Sequence, residues 1–199
     1  MLTSYSQIIG TPVLSVHVGT QIATVSACII DPDNLKIIAF IVEGPSVDAD
    51  TGDVLDIKSI REYSNLGFVI DSVDALSKRD DIVKVKKIIE LDFVLIGLKV
   101  ETKNGSKLGK ITDLIIASDD FVIQQLIVKR PALKSFLDPE LTIHRNQIVE
   151  VNDHEVIVKD ETAKDKQAAP AAASSDFVNP FRKPDFSQSD SQSLDASDT

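Results

Sequence analysis

The feature of this sequence that most constrains its fold is an internal repeat of about eighty residues. When the chain is aligned with itself at an offset of 86 or 87, short apolar segments recur in the same order. Residues 9–13 align with 96–100, 25–30 with 111–116 and 40–42 with 126–128, and after a two-residue slip 68–70 align with 156–158. Self-similarity at a fixed period is typical of duplicated units, so the sequence predicts two copies of one small module.

Each repeat has the pattern of short β-strands joined by tight turns. Aromatic residues make up only 5% of the chain and Trp is absent, so the apolar segments depend on Val and Ile, which pack well on a pleated sheet. Asn104 and Gly105 predict a hairpin tip, with its counterpart at Gly19, and polar turns at 31–34 and 117–120 predict a second hairpin in each repeat. We therefore predict an all-β chain of two tandem small antiparallel β-barrels, closed so that no sheet edge is exposed.

The same patterns divide the chain into four parts. Residues 1–72 form the first predicted barrel, and residues 92–161 form the second. Between them, residues 73–91 form a connector with some helix, because Ser72 precedes a short helical turn and apolar side chains at 82, 85, 88 and 89 have helical spacing. Residues 162–199 are rich in Ala, Ser, Asp and Gln, which predicts a disordered acidic tail.

Turn glycines and core aliphatics of the second repeat carry a resemblance to a known family. The progression comprises Ile96, Gly97, Val100, Gly105, Leu108, Gly109, Ile111 and Asp113, followed by Leu126, Ile127 and Val128. It resembles the PRC-barrel domain over residues 92–160, and residues 5–71 resemble it less closely. In the first repeat, Ala23 replaces Gly109 and Ala27 replaces Asp113. The resemblance implies a barrel that holds other proteins and has no catalytic residues to transfer.

The sequence contains no recognisable catalytic or metal-binding motif. His17, His144 and His154 are scattered without partners at ligand spacing, which argues against a metal site, and no nucleophile or phosphate-binding motif is present. The lone cysteine, Cys28, lies between apolar neighbours, as a small buried residue would. We predict a protein with no catalytic site, cofactor or metal. The absence of a signal peptide and of a long apolar segment predicts a cytoplasmic protein with no membrane span.

Three clusters are candidates for contact with a partner protein. Leu133, Phe136 and Leu137 lie in an insertion of the second repeat and either cap the barrel or form a docking lip. Phe177, Phe181 and Phe186 lie beside two basic residues in the tail, as a docking peptide or as a chance cluster. The connector carries a basic cluster of Lys78, Arg79, Lys84, Lys86 and Lys87.

These features support three functional hypotheses. The first is a non-catalytic adaptor that binds another protein through its barrel surfaces. The second is an accessory factor in ribosome assembly or RNA maturation that uses the basic cluster, although the net charge of −10 disfavours direct binding to nucleic acid. The third is a small-ligand binder at the cleft between the barrels.

Overall fold

A computed structural model describes residues 1–48, 51–131 and 139–160, which lie within one compact unit that is mostly β. Its first part contains β1 (Leu2–Ser4), α1 (Tyr5–Ile8), β2 (Pro12–Ser15), β3 (Thr20–Asp31), β4 (Lys36–Glu43), β5 (Val54–Asp56), β6 (Glu62–Ser64), β7 (Gly67–Ile70) and β8 (Leu76–Ser77). Its second part contains α2 (Val83–Glu90), β9 (Lys99–Thr102), β10 (Lys107–Ala117), β11 (Val122–Lys129), β12 (Glu140–His144), β13 (Ile148–Val151) and β14 (Glu155–Val158). We call β2–β7 the first half and β9–β14 the second half.

The two halves have the same strand pairing. The order is β5-β4-β3-β2-β7-β6 in the first half and β12-β11-β10-β9-β14-β13 in the second. The prediction of wholly antiparallel pairing is wrong, because β7 runs parallel to β2 and β14 runs parallel to β9. In both halves the last strand returns beside the first after several intervening strands, and such a crossover makes a parallel pair.

The sheet is not closed by hydrogen bonds, contrary to the closed barrels that we predicted. Within the described residues, β5 does not pair with β6, and β12 does not pair with β13. A 3₁₀ turn spans each gap instead, at Ile57–Ser59 in the first half and at Arg145–Gln147 in the second. The turn directs the chain across the opening, so that each half is a bent sheet with one seam.

The register shifts and left-handed residues of the first half recur at equivalent positions of the second half. The ladder between β3 and β4 shifts register at Val25/Ala27 and Ile29/Ile30, and the ladder between β10 and β11 shifts at Ile111/Asp113 and Ile115/Ile116. These positions are 86 residues apart. The left-handed residues Gly19 and Gly105 keep the same offset, as do Leu35 and Phe121, and the hairpin tip at Gly105 is confirmed.

The halves meet where β4 lies beside β11. Lys36 pairs with Val122, and two backbone hydrogen bonds of 2.9 Å flank this pair, from Ile37 N to Phe121 O and from Ile123 N to Leu35 O. One hydrophobic core continues across the junction. At its centre the rings of Phe40 and Phe121, one from each half, meet edge to face with centroids 5.5 Å apart.

The segments that precede the halves differ. The first, β1 with α1, adds to the edge of β10, and Asp113 accepts hydrogen bonds from the backbone and hydroxyl of Ser6. The second contains α2, which buries Val85 and Ile88 against a small cluster that includes Ile29. Helix α2 lies where the spacing of apolar residues predicts helix. The predicted domain boundaries themselves remain predictions, since the described residues pack as one unit.

Candidate interaction grooves

The junction between the halves is flanked by a groove of about 540 Å³, which we call the acidic groove. One wall is the turn at residues 32–35 of the first half, and the other is the segment 145–153 of the second half, with Phe93 between them. Phe93, Ile148 and Val151 are partly buried and pack against the core, so they give the groove an apolar floor.

A second groove of about 350 Å³ occupies the equivalent place, and we call it the mixed groove. It is lined by the turn at 118–121 of the second half, by residues of the segment 57–63 of the first half, and by Lys36. Its walls correspond to those of the acidic groove at offsets of 86 and 88. The two grooves are therefore products of the same repeat, and their differences are due to side chains.

One such difference is an aromatic residue in the lining of the mixed groove. Tyr63 stacks on Phe68 with ring centroids 4.5 Å apart and approaches Phe121 at 6.2 Å. Its hydroxyl lies 3.3 Å from Thr3 Oγ1, which fixes the ring. Val151 stands at the equivalent position of the acidic groove and supplies no ring, and that groove is the larger of the two.

Arg145 fixes the shape of the acidic groove. Its guanidinium donates to three backbone carbonyls, at 2.5 Å to Asn34 and 3.3 Å to Leu35 and Ile123. These acceptors lie on both sides of the junction, so a single side chain of the second half ties the turn of the first half to β11. All three acceptors are neutral, and Arg145 forms no ion pair with a carboxylate of the described residues.

The rim of the acidic groove carries the exposed carboxylates of Asp33, Glu150 and Asp153. None of these takes part in an ion pair within the described part of the chain. With Arg145 as the one cation of the lining, the groove has a formal charge of −2. The lining of the mixed groove contains three cations and three carboxylates, so its formal charge is zero.

The basic cluster of the connector is exposed, but much of its charge is paired. Arg79 donates to Asp53 at 2.5 and 2.9 Å, and this hydrogen bonding raises the pKa of the guanidinium. Lys84 pairs with Asp31, and Lys86 pairs with Asp80 at 3.0 Å, which raises the pKa of Lys86. Three of the five predicted contact residues therefore already bind carboxylates of this chain, which lowers the charge available to a phosphate backbone.

The other predicted contact residues lie outside the described residues. These are Leu133, Phe136, Leu137, Phe177, Phe181 and Phe186. Cys28 is half-buried, and burial raises the pKa of its thiol to about 12, so the thiol is neutral at ordinary pH. Among the described residues, no three His, Cys, Asp or Glu side chains converge as a metal site, and no helix has the length and apolar character to cross a membrane.

The residues that line the grooves could not be identified from the sequence. A cleft between the repeats was predicted, but its walls come from segments more than 100 residues apart, such as 32–35 and 145–153. The repeat itself contained the necessary signal, because the turn that follows the second strand of each half, at 32–35 and at 118–121, recurs at an offset of 86. What the repeat does not encode is which edge of one half meets the other.

Comparison with known proteins agrees with this architecture in one half. The fold and the grooves define a mostly β chain whose concave surfaces carry exposed apolar and charged side chains. Residues 92–164 match the family model of the PRC-barrel domain, so a PRC-barrel domain is found there. This confirms the resemblance for the second half, while for residues 5–71 it remains a prediction. No curated protein matches the chain.

Proposed function

We propose that the chain is a tandem of two PRC-type units that acts as a non-catalytic protein-interaction adaptor. The first half is the unit that the family model does not match. It is assigned to the same type because it repeats the strand pairing, bulge positions and left-handed turn residues of the second half, where the PRC-barrel domain is found. The PRC-barrel domain is in general an interaction or assembly module. The first half belongs to the same class on this proposal, although Ala23 and Ala27 depart from the family pattern.

The observation that carries the adaptor proposal is the pair of grooves at the junction. Each combines a partly exposed apolar floor with a charged rim, which is the arrangement of core and rim in protein interfaces. The acidic groove also includes strand β13, which ends the pairing order of the sheet. Val149 on that strand is 44% exposed, a large apolar side chain at an unpaired edge. An extended segment of a partner has both backbone and apolar contacts available there.

Site-specific cross-linking tests this proposal. A photoreactive residue in place of Val149 in the full-length chain should capture a defined protein from native lysate. The matched control carries the same residue in place of Val16, which is 56% exposed on the loop after β2 and lines neither groove. Adducts that form equally at both positions, or at neither, would contradict a groove-centred adaptor.

The cross-linking experiment also distinguishes the other two functional hypotheses. Ribosomal proteins among the adducts, together with cosedimentation with ribosomal particles that weakens steeply with salt, would favour the RNA-maturation role. The volume of the acidic groove lies within the range of small-ligand sites, so a small molecule that protects Val149 from cross-linking would favour the ligand-binding role. A cytoplasmic location remains part of the proposal.

A further inference from the structure

We propose that a row of three lysines on the second half binds an acidic segment of a partner protein. The lysine row consists of Lys99 on β9, Lys110 on β10 and Lys129 on β11. It shares no residue with the lining of either groove. The proposal goes beyond the groove-centred adaptor, because it adds a second binding surface of positive charge and does not depend on what occupies the grooves.

The three lysines are neighbours across three adjacent strands. Lys110 is the register partner of Lys99 on one side and of Lys129 on the other. Side chains directly opposite each other in a sheet point to the same face, and all three of these side chains are exposed. Because adjacent register positions lie about 5 Å apart, the three side chains leave the sheet within about 10 Å of one another.

The charge of the lysine row is uncompensated within the described part of the chain. None of the three lysines forms an ion pair there. Even Glu155, the register partner of Lys99 on β14, is not paired with it. Like charges directly opposite each other destabilise a sheet. The row therefore lowers the stability of a protein whose net charge of −10 offers many carboxylates that could have neutralised it.

The first half shows that the strand pairing does not require these lysines. The equivalent row of the first half, at offsets of 86 and 87, consists of Pro12, Thr24 and Glu43. Thr24 is the register partner of the other two residues, as Lys110 is in the lysine row. The same pairing thus forms with one carboxylate and no cation at these positions. Residues that the architecture does not need, and that oppose its stability, are typical of a functional surface.

A small pocket of about 190 Å³ adjoins the lysine row. The charged residues of its lining are Lys99, Lys107, Lys110 and Glu101, so the pocket has a formal charge of +2, opposite in sign to that of the acidic groove. The rest of the lining is uncharged and consists of Val100, Gly109 and Pro131. This surface suits the methylene groups of a glutamate side chain whose carboxylate meets the ammonium groups of the row.

The surroundings of the lysine row favour an acidic peptide over other polyanions. Single-stranded nucleic acid binds where aromatic side chains stack on its bases beside the cations, and no aromatic residue lines this pocket. Binding in a membrane interface needs large apolar side chains beside the basic ones, and the large exposed apolar residues of the described chain lie outside this lining. Carboxylates on alternate residues of an extended segment are about 7 Å apart, so four or five acidic residues span the row.

Binding of hexaglutamate to the full-length chain tests the proposal. Fluorescence anisotropy of the labelled peptide measures its affinity, and an uncharged Gly–Ser hexapeptide with the same label is the control probe. A protein of net charge −10 repels hexaglutamate except where its surface is locally positive, so binding reports on a cationic site. We expect saturable binding of hexaglutamate that weakens as the salt concentration rises, and no binding of the control peptide.

The first half supplies the substitution for the decisive variant, because threonine stands there at the position equivalent to 110. K110T should weaken the binding of hexaglutamate about tenfold, the effect of losing one hydrogen bond between charged groups. It should also raise the midpoint of thermal unfolding, because Lys110 lies opposite two like charges. K99T is a second variant with the same expected loss of binding. The matched control is K159T, which removes an exposed lysine outside the row and the pocket and should change the affinity by less than about twofold.

Four results would overturn the proposal. The first is the absence of saturable binding of hexaglutamate, and the second is an equal loss of affinity in K110T and K159T, which would assign the effect to net charge. The third is a K110T variant that loses both binding and thermal stability, which would give the lysine a structural role. The fourth is tighter binding of oligothymidylate or of phosphatidylserine vesicles than of hexaglutamate, which would assign the row to nucleic acid or to a membrane. Cross-linking at Val149 tests the groove-centred adaptor separately, so either proposal can fail without the other.

Discussion

Lys36 and Val122 occupy equivalent positions of the two halves, 86 residues apart, and they are partners of one another across the junction. A position that pairs with its own counterpart lies on a local two-fold axis, and the reciprocal bonds from Ile37 and Ile123 obey the same symmetry. An isologous contact of this kind normally joins two copies of one protein. Here it joins two halves of one chain, and it creates both grooves at once.

The first prediction concerns Arg145, which ties the two sides of the acidic groove. R145K should lower the free energy of unfolding by about 2 kcal/mol, because an ammonium cannot reach three carbonyls in the fork geometry of a guanidinium. Urea unfolding measures the change. The control is R61K, since Arg61 is exposed and forms one surface ion pair with Asp71, and we expect it to change stability by less than about 1 kcal/mol. Equal effects of the two variants would contradict the bridging role.

The second prediction concerns Gly109, which has φ +150° and lies against β11. A Cβ at this position would meet Lys129 O at 2.1 Å, so G109A should cost about 3 kcal/mol through backbone strain and overpacking. G105A is the control, because Gly105 has φ +76° and open space around it, and it should cost about 1 kcal/mol. Thermal unfolding of both variants separates the cost of the steric contact between position 109 and β11 from the cost of a positive φ alone. A smaller cost for G109A than for G105A would refute the close approach.

The third prediction concerns Asp113, which accepts from Ser6 N at 3.1 Å and from Ser6 Oγ at 2.7 Å. Since Ser6 N lies in the first turn of α1, D113A removes a helix-capping contact and should cost about 1 kcal/mol. D119A is the matched control, because Asp119 also contacts the N-terminal segment but is 84% exposed, and it should change stability by less than about 0.5 kcal/mol. Amide exchange of residues 2–8 should accelerate in D113A alone.

The fourth prediction follows from the pKa of Cys28, which burial raises from 9.0 to about 12. Between these values the unfolded thiol loses its proton while the folded thiol keeps it, so the free energy of unfolding should fall as pH rises, by up to about 1.4 kcal/mol per pH unit. Burial also raises the pKa of Tyr5, so the comparison must be with C28A, which retains Tyr5. An identical pH dependence in C28A would contradict the assignment to Cys28.

The sequence predicted the parts of the fold that depend on local pattern. The hairpin tip at Gly105, the polar turns and the helix in the connector all have residue signals within a few positions. The parallel pairing of β14 with β9 has no such signal, because a strand pattern does not specify the direction of a neighbour that is distant in sequence. The repeat predicted equal halves, but the Lys36–Val122 contact depends on which edges are left uncovered.

The candidate site was less accessible to sequence reasoning than the fold. The basic cluster of the connector was visible as sequence, whereas its pairing with Asp53, Asp31 and Asp80 depends on tertiary contacts. The acidic groove was invisible for the opposite reason: Asp33 and Glu150 are ordinary surface residues until the junction brings their segments together. Once the groove is known, the repeat relates Glu150 to Glu62 of the mixed groove at an offset of 88.

Because both grooves are built from both halves, they persist only if the junction is a permanent part of the folded protein. Native-state amide hydrogen exchange at Ile37 and Ile123 measures the persistence of the junction, since these two amides donate the hydrogen bonds across it. We expect both to exchange with the same free energy, equal to that of global unfolding. If both exchange at a much lower free energy while the amides of Phe40 and Leu126 in the two cores remain protected, the halves separate in solution and the grooves are transient.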